Sequence, residues 1–511
     1  MTQRHKILLV QPPLGMSGTF VRHAPLSLIY AASEVVKAGY QVEIFDARLA
    51  PATWLEDLAS KINDGTMLVG VTVMTGTPVL RAIEVGQLVK RLAPEVKVVW
   101  GGPFATFQPE AIISGDPNCD FVVSGYGAVP FLALAEAVGR GELPHGQPGV
   151  FWRGSDGGMA GMAADWSKHE IIPFREIPYD LIADYSVYGQ LDQKRIIFSL
   201  YTAMGCPYQC AFCSSPALYR HIQGKRWVPL PAEEVADHVA YVVERYGAQY
   251  IYFIDDDSFV DLGHVESVID AIAKRGISVK LGFRGARINE IKKMDHAFLD
   301  KLVRAGTDIL HIGAETGSNR LLQLVRKNCT VEDILECNRK LANHPEIFAF
   351  YNFIVGLPTE TIEDLKLTSK LMLRLIEENP HCIISTPNFF RPLPGTELYD
   401  LARKRWSFRS PESLQEWGAM EVETQYDLPW IDKKSHKYFS MMLMASYFID
   451  DKINKMPTGN SLLMRMCKLA NALYQPIAKF RMKHGCTRFL LERWAYNLAQ
   501  KMLGRTSKQT D

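Results

Sequence analysis

The chain has 511 residues, 47% of them hydrophobic and 22% charged, with a formal net charge of +1. That length predicts two or three domains with sizeable cores, and the near-neutral balance leaves no electrostatic footprint for nucleic acid as a partner. Nine cysteines, odd in number, unevenly spaced and with three of them inside residues 206–213, exclude a disulfide framework and point to a reducing cytoplasm. No apolar run approaches the roughly 20 residues of a membrane helix, and Met1 to Lys6 runs straight into a strand pattern without the layout of a leader peptide.

The first 140 residues alternate strand and helix patterns. Strands are expected at Lys6–Val10, Gln41–Phe45, Met67–Val73, Val96–Trp100 and Phe121–Val123, with helices over Pro25–Lys37 and Val79–Leu92. Such apolar runs suit buried parallel strands. Gly, Pro and Thr gather just after them, at the carboxyl edge where ligands of open sheets bind. Residues 1–144 are thus expected to form a doubly wound α/β domain. Residues 145–192, with Gly154, Gly157, Gly158 and Gly161 and weak periodicity, read as a linker with a short hairpin.

From Arg195 the βα rhythm resumes, with strands expected at Ile196–Tyr201, Tyr250–Ile254, Val279–Phe283, Ile309–Gly313, Ala349–Val355 and Cys382–Phe390. Six units over residues 193–402 suit an incomplete parallel (β/α)6 barrel better than a second open sheet. Residues 403–511 read as a helical carboxyl-terminal domain. Its end is rich in cations, among them Arg465, Lys468, Lys479, Arg481, Arg493, Lys501, Arg505 and Lys508. A basic tail of this kind is a candidate for peripheral contact with an anionic membrane, or for a solvated helical face.

The chemistry concentrates in Tyr201-Thr-Ala-Met-Gly-Cys206-Pro-Tyr-Gln-Cys210-Ala-Phe-Cys213. Three thiolates in a loop after a strand can hold a cube of iron and sulfide, and three rather than four leave one iron open. Spacing alone also allows a zinc site completed by a distant residue such as Cys329 or His311.

With Phe212 before its last cysteine, the CxxxCxxC segment resembles the signature of radical S-adenosylmethionine enzymes. Membership implies a [4Fe–4S] cluster on Cys206, Cys210 and Cys213. Its open iron would chelate the methionine part of S-adenosylmethionine, and an external donor of the flavodoxin or ferredoxin type would supply the electron that releases a 5′-deoxyadenosyl radical. Further segments agree with the family. Phe253-Ile-Asp255-Asp256-Asp257-Ser258-Phe259 resembles the strand end near the methionyl amino group, although many members have Gly-Gly-Glu there. Glu315, in Ile312-Gly-Ala-Glu315-Thr-Gly-Ser318, resembles the acid that contacts ribose. Gly356, in Phe353-Ile-Val-Gly356-Leu-Pro-Thr-Glu-Thr361, resembles the strand end that meets adenine. Phe390-Arg-Pro-Leu-Pro394-Gly-Thr-Glu-Leu-Tyr399 recurs where such barrels end. Each also has a plain reading: Asp255–Asp257 as helix caps, Gly356 as turn chemistry. Arg284, Arg287 and Arg326 are candidate partners of the methionine carboxylate or ordinary ion-pair formers.

The amino-terminal domain is similar to the cobalamin-binding domain that precedes the barrel in one large subgroup. The likeness rests on Val73-Met-Thr75-Gly76, on Gly101 and Gly102 in Trp100-Gly-Gly-Pro-Phe-Ala-Thr106, and on Gly125 and Gly127 in Val123-Ser-Gly-Tyr-Gly127. Small residues there let backbone approach a flat macrocycle. The Asp-x-His-x-x-Gly motif that supplies an axial histidine elsewhere is absent, and Phe104, Tyr126 and Ala128 stand where His or acidic residues are frequent.

The resemblance implies cobalamin as a second cofactor and methylation of an unactivated carbon in a small-molecule or lipid-like substrate. In the subgroup, one S-adenosylmethionine methylates the cobalt and a second provides the radical. Cyclisation, oxidation or rearrangement without methyl transfer is the alternative, and a non-enzymatic metal-binding module is a third reading. Methylthiolation of RNA would need a second three-cysteine set, and Cys119 is alone in its domain.

Overall fold

The structure, a computed structural model, describes residues 6–15, 23–188, 195–420, 428–455 and 462–488. Residues 489–511, the end of the expected basic tail with Arg493 to Lys508, lie outside the described residues, as do 189–192 at the end of the expected linker. The chain divides into two compact units, Met1–Arg284 with Arg391–Tyr426, and Gly285–Phe390 with Asp427–Asp511.

In the first unit, β1 (Lys6–Gln11), β2 (Gln41–Asp46), β3 (Thr66–Thr72), β4 (Lys97–Gly101) and β5 (Phe121–Val123) form a parallel sheet in the order β2-β1-β3-β4-β5. The five expected strands are all present, and the domain is doubly wound. Strand side chains alternate between faces. Leu8, Val10, Val69, Val71, Val98 and Trp100 meet the helices Trp54–Lys61, Thr77–Leu92 and Pro109–Gly115. Ile7, Leu9, Leu68, Val99, Phe121 and Val123 meet Leu26–Ala31, Ser33–Lys37 and Ala128–Arg140. The stretch 145–192 adds the antiparallel strands β6 (Val150–Arg153) and β7 (Met159–Gly161) to the sheet. It then seats Phe174, Tyr179 and Tyr185 around Phe198, His238 and Tyr246.

The same unit holds the first barrel strands, β8 (Ile197–Leu200), β11 (Tyr250–Phe253) and β12 (Lys280–Ala286), the last up to Arg284. They are parallel, with β11 between β8 and β12 and with helices Ala232–Tyr246 and Leu262–Lys274 between them in sequence. A two-stranded antiparallel ribbon, β9 (Ala203–Gly205) with β10 (Trp227–Pro229), closes both ends of the cysteine loop. Residues 391–420 return to the amino-terminal domain, where Leu414, Trp417 and Met420 join its core and Trp417 lies edge-on to Phe104 at 5.6 Å.

The second unit continues the parallel pattern with β13 (Thr307–Glu315), β14 (Phe348–Val355) and β15 (Cys382–Ile384). The expected strand Cys382–Phe390 is interrupted, because Pro387 cannot donate to a ladder. Its end, β16 (Asn388–Phe389), pairs separately with the end of β14. The carboxyl-terminal helices divide between the units: Glu397–Arg405 and Leu414–Gly418 belong to the first, Lys433–Ser446 and Leu462–His484 to the second.

Trp417 is almost wholly buried. Truncating it to alanine is expected to destabilise the first unit by about 3–5 kcal/mol, as for other buried aromatics. Removing the exposed pair Arg409–Glu412 should change stability by less than about 1 kcal/mol. Denaturant titration of the two variants tests the contrast.

Candidate active site

The cysteine loop begins on a backbone that only glycine tolerates. Gly205 has φ +84°, and a Cβ there would collide with the Arg226 carbonyl and the His169 ring. Cys206, Cys210 and Cys213 form no disulfide and are half-buried. The Cys213 amide closes a turn onto the Cys210 carbonyl at 3.1 Å. Burial pushes the Cys206 thiol well up from the usual range and raises that of Cys213, with nearby Asp256 adding to both effects. Such thiols become good ligands only when a cation supplies the missing counter-charge, which an iron centre does. Among the described residues no three His, Cys, Asp or Glu side chains crowd together as one ion would need. A cluster asks for a looser arrangement, since each thiolate takes a different iron.

The segment after the barrel buttresses this loop. The Leu398 amide donates to the Ala211 carbonyl at 2.9 Å, and Arg220 Nη2 donates to the Gly395 carbonyl at 3.1 Å. Gly395, at φ +81°, leaves no room for a Cβ beside Phe107 (2.6 Å). The Pro-Leu-Pro-Gly motif therefore has a mechanical role in the first unit. Phe212 is half-buried between two of the cysteines.

The three aspartates after β11 have separate tasks. Asp255, 1% exposed, accepts from the Thr202 amide (2.7 Å), the Thr202 hydroxyl (2.8 Å) and the Ala203 amide (3.0 Å). Burial still raises its carboxyl to about 6 against these stabilising bonds. Asp257 accepts from the Phe259 amide. Asp256 is exposed and stands near Tyr201, Tyr219, Cys206 and Cys213. None of the three caps the next helix; Asp261 does, accepting from Gly263 and His264.

In the second unit Glu315 ends β13 with φ +61°, a conformation that a non-glycine residue adopts only when held there. Lys327 Nζ holds it through an ion pair of 2.6 Å, both side chains 7% exposed. Arg287 Nη2 in turn donates to the Lys327 carbonyl at 2.9 Å, so its guanidinium serves backbone. A Cβ on Gly313 would overlap the Glu315 carboxylate, which explains the glycine two residues before the acid. Gly356, at φ +80°, turns the chain at the end of β14 beneath the Phe389 ring. Its amide donates to Glu360 Oε2 and its carbonyl accepts from Trp430 Nε1 at 3.0 Å. Burial lifts the Glu360 carboxyl to about 8. Of the arginines, Arg284 has its side chain exposed and Arg326 lies in a left-handed turn at φ +54°.

At the carboxyl edge of the amino-terminal sheet lies a cavity of about 330 Å³. Gly101, Gly102, Gly125 and Gly127 line its mouth. Gly102 (φ +93°) and Gly125 (φ +85°) adopt turns that a side chain would block, against Thr72 and against Ala164 at 2.9 Å each. The cavity runs inward past Gly70 to Leu9, Val99 and Phe131, and outward to Tyr201, Met204 and Ile254 at the ends of β8, β9 and β11. Thr75 and Gly76 do not line it. Arg391 reaches the Thr75 carbonyl, and the Gly76 amide donates to the Trp417 carbonyl. Phe104 is buried in the core against Trp417.

Several lining groups escape a sequence reading. Glu170 and Ile172 come from the 145–192 stretch. Burial raises the Glu170 carboxyl. Tyr126, whose hydroxyl lies 3.0 Å from His169 Nδ1, turns its ring against Trp166. The one available signal was Gly70, a glycine inside a strand, which often marks close approach by a ligand.

Residues 200–372 match the Radical SAM superfamily and residues 20–135 match the B12 binding domain family. An uncharacterized methyltransferase of Pyrococcus horikoshii is 29% identical over 420 residues, covering 78% of this chain and 83% of its own. Among solved structures, the radical S-adenosylmethionine methyltransferase TsrM from Kitasatospora setae, with cobalamin and a [4Fe–4S] cluster bound, superposes with a TM-score of 0.60 at 21% identity. It covers 78% of each chain. The cobalamin-dependent S-adenosylmethionine radical enzyme OxsB gives 0.69 at 15% identity, covering 98% of this chain and 76% of its own. The chain belongs to the radical S-adenosylmethionine enzymes that carry an amino-terminal cobalamin-binding domain. Its cofactors are a [4Fe–4S] cluster, S-adenosylmethionine and cobalamin.

Two outcomes follow from the second unit. Lys327→Met leaves Glu315 buried and unpaired, and should cost about 3–5 kcal/mol in denaturant unfolding. For Glu360, the folded carboxyl titrates near 8, above its unfolded value of 4.5. Its contribution is therefore complete below about pH 4.5 and is lost as pH rises through about 8. Glu360→Gln should flatten the fall of the melting temperature across that window; an unchanged slope would refute the assignment.

Proposed function

We propose that the chain methylates an unactivated carbon of a small-molecule or lipid-like substrate, with Cys206, Cys210 and Cys213 as the cluster ligands. One observation carries this: a single cavity in the first unit is lined both by the glycine edge of the B12-binding domain and by Tyr201 and Met204, which lead into Cys206. That arrangement suits a reaction needing both cofactors at one substrate. The names of the similar proteins support methyl transfer as the reaction class. When bound, the cluster and cobalamin supply electron transfer and methyl transfer that amino-acid side chains cannot.

The chain's own residues would bind and orient. Thr202 and Ala203, fixed by Asp255, set the entry angle of the cysteine loop. Phe212 would shield the cluster, and Asp256 would offer its carboxylate to the methionyl ammonium group. Glu315, held by Lys327, would accept from ribose hydroxyls, and Gly356 would present backbone to adenine. Gly101, Gly102, Gly125 and Gly127 would let a macrocycle approach main chain, and Glu170 would offer it a polar group from the cavity wall. Thr75 and Gly76 would then support the loop from behind.

A flavodoxin- or ferredoxin-type protein would supply the electron, and a reducing cytoplasm suits nine cysteines outside any disulfide. Among the described residues no helix is long and apolar enough to cross a membrane. We read the basic carboxyl-terminal region as a peripheral membrane contact.

Anaerobically reconstituted protein, given dithionite, S-adenosylmethionine and a lipid extract, should form 5′-deoxyadenosine and S-adenosylhomocysteine in comparable amounts. 5′-Deoxyadenosine without S-adenosylhomocysteine would indicate cyclisation, oxidation or rearrangement instead. Gly70→Leu should fill the inner slot, since even a Cβ there lies 2.8 Å from Leu9. Retention of hydroxocobalamin after desalting should be lost while iron content is kept.

A further inference from the structure

The helix Leu462–His484 in the second unit has two apolar faces. The inner one is anchored: Asn471, Ala478 and Met482 are buried, Tyr474 lies 4.8 Å edge-on to Phe448, and Asn471 donates to Asp451 at 3.0 Å. Arg481 turns inward to the Cys486 and Arg488 carbonyls and closes the helix end, where Gly485 takes φ +63°.

Opposite stand Met466, Leu469, Leu473, Ile477 and Phe480, between 49% and 70% exposed. Their spacing of three and four residues puts them on one stripe, about 21 Å long at 1.5 Å per residue. Apolar surface of that extent marks an interaction site, whereas singly exposed residues do not. Residues 462–488 contain six Lys and Arg and no Asp or Glu. By helical periodicity Arg465, Lys468, Lys479 and Lys483 run along one flank, between the inner and outer faces.

We propose that this helix docks the enzyme in the plane of an anionic membrane surface, with the stripe entering the headgroup boundary and the flanking cations meeting lipid phosphates. Charge decides the occupant. A second copy of the helix offers no acidic group to the cations, whereas an anionic leaflet presents lipid phosphates. The inference rests on the reading of the basic region given above, and gives it a surface and a lipid class.

The test is co-sedimentation of the full chain with vesicles of equimolar phosphatidylglycerol and phosphatidylcholine, against phosphatidylcholine alone. The wild-type chain should bind the anionic vesicles, with added salt weakening the binding. Leu469→Gln/Leu473→Gln/Ile477→Gln should weaken it on the order of 100-fold, given three exposed side chains withdrawn from the interface. Lys468→Glu/Lys479→Glu should weaken it by at least ~10-fold. Because the stripe is exposed, the triple variant should keep its melting temperature. Equal binding to both vesicles, or none, overturns the proposal. So does a triple variant that melts lower or dissociates a dimer, since the stripe would then cover protein. Formation of 5′-deoxyadenosine without vesicles is independent of these substitutions, so this proposal and the catalytic reading fail separately.

Discussion

Burying Asp255 at the end of β11 carries a desolvation cost, visible in its upward-shifted carboxyl. Three hydrogen bonds from Thr202 and Ala203 offset that cost. Those two residues lead from the end of β8 into β9, and four residues beyond Thr202 stands Cys206. The carboxylate thus fixes the stem of the cysteine loop to the neighbouring strand. The β9–β10 ribbon and the Leu398–Ala211 bond fix the loop's other sides. Cluster ligands need fixed positions because their sulfurs must meet separate irons.

Within each unit the chain repeatedly leaves out side chains so that other groups can come close. Gly205 admits the Arg226 carbonyl, Gly395 admits Phe107, and Gly313 admits the Glu315–Lys327 pair. At the B12-binding edge Gly102 and Gly125 make turns open only to glycine, and Gly70 keeps the inner slot open. Neither site is made of loops alone. Each is built where strands end, so sheet hydrogen bonding sets the positions of its parts.

Much of this was legible in the sequence. The five strands of the first domain were readable because buried parallel strands are continuous apolar runs, and the cysteine motif because its spacing is local. What was not legible depends on distant contacts. The 145–192 stretch has weak periodicity, yet its aromatic residues pack and its Glu170 enters the cavity. Thr75 and Gly76 look like their neighbours at strand ends, but Arg391 and Trp417 occupy their backbone. Lys327 lies twelve residues from Glu315 and joins it only because Arg326 and Asn328 turn the chain back through left-handed conformations. Asp255 and Asp256 are adjacent in sequence, and only burial separates the structural acid from the exposed one.

The stem of the cysteine loop, at Tyr201 and Met204, and the glycine edge of the B12-binding domain line one cavity in the first unit, so a cluster and a cobalamin held there would stand close together. Low-temperature electron paramagnetic resonance of the reduced protein, loaded with cob(II)alamin, measures this most directly. Two paramagnets bordering one cavity should couple, so the cob(II)alamin signal should broaden or split when the cluster is reduced and recover when it is oxidised. A cobalamin signal indifferent to the state of the cluster, with both centres present at full occupancy, would contradict the account.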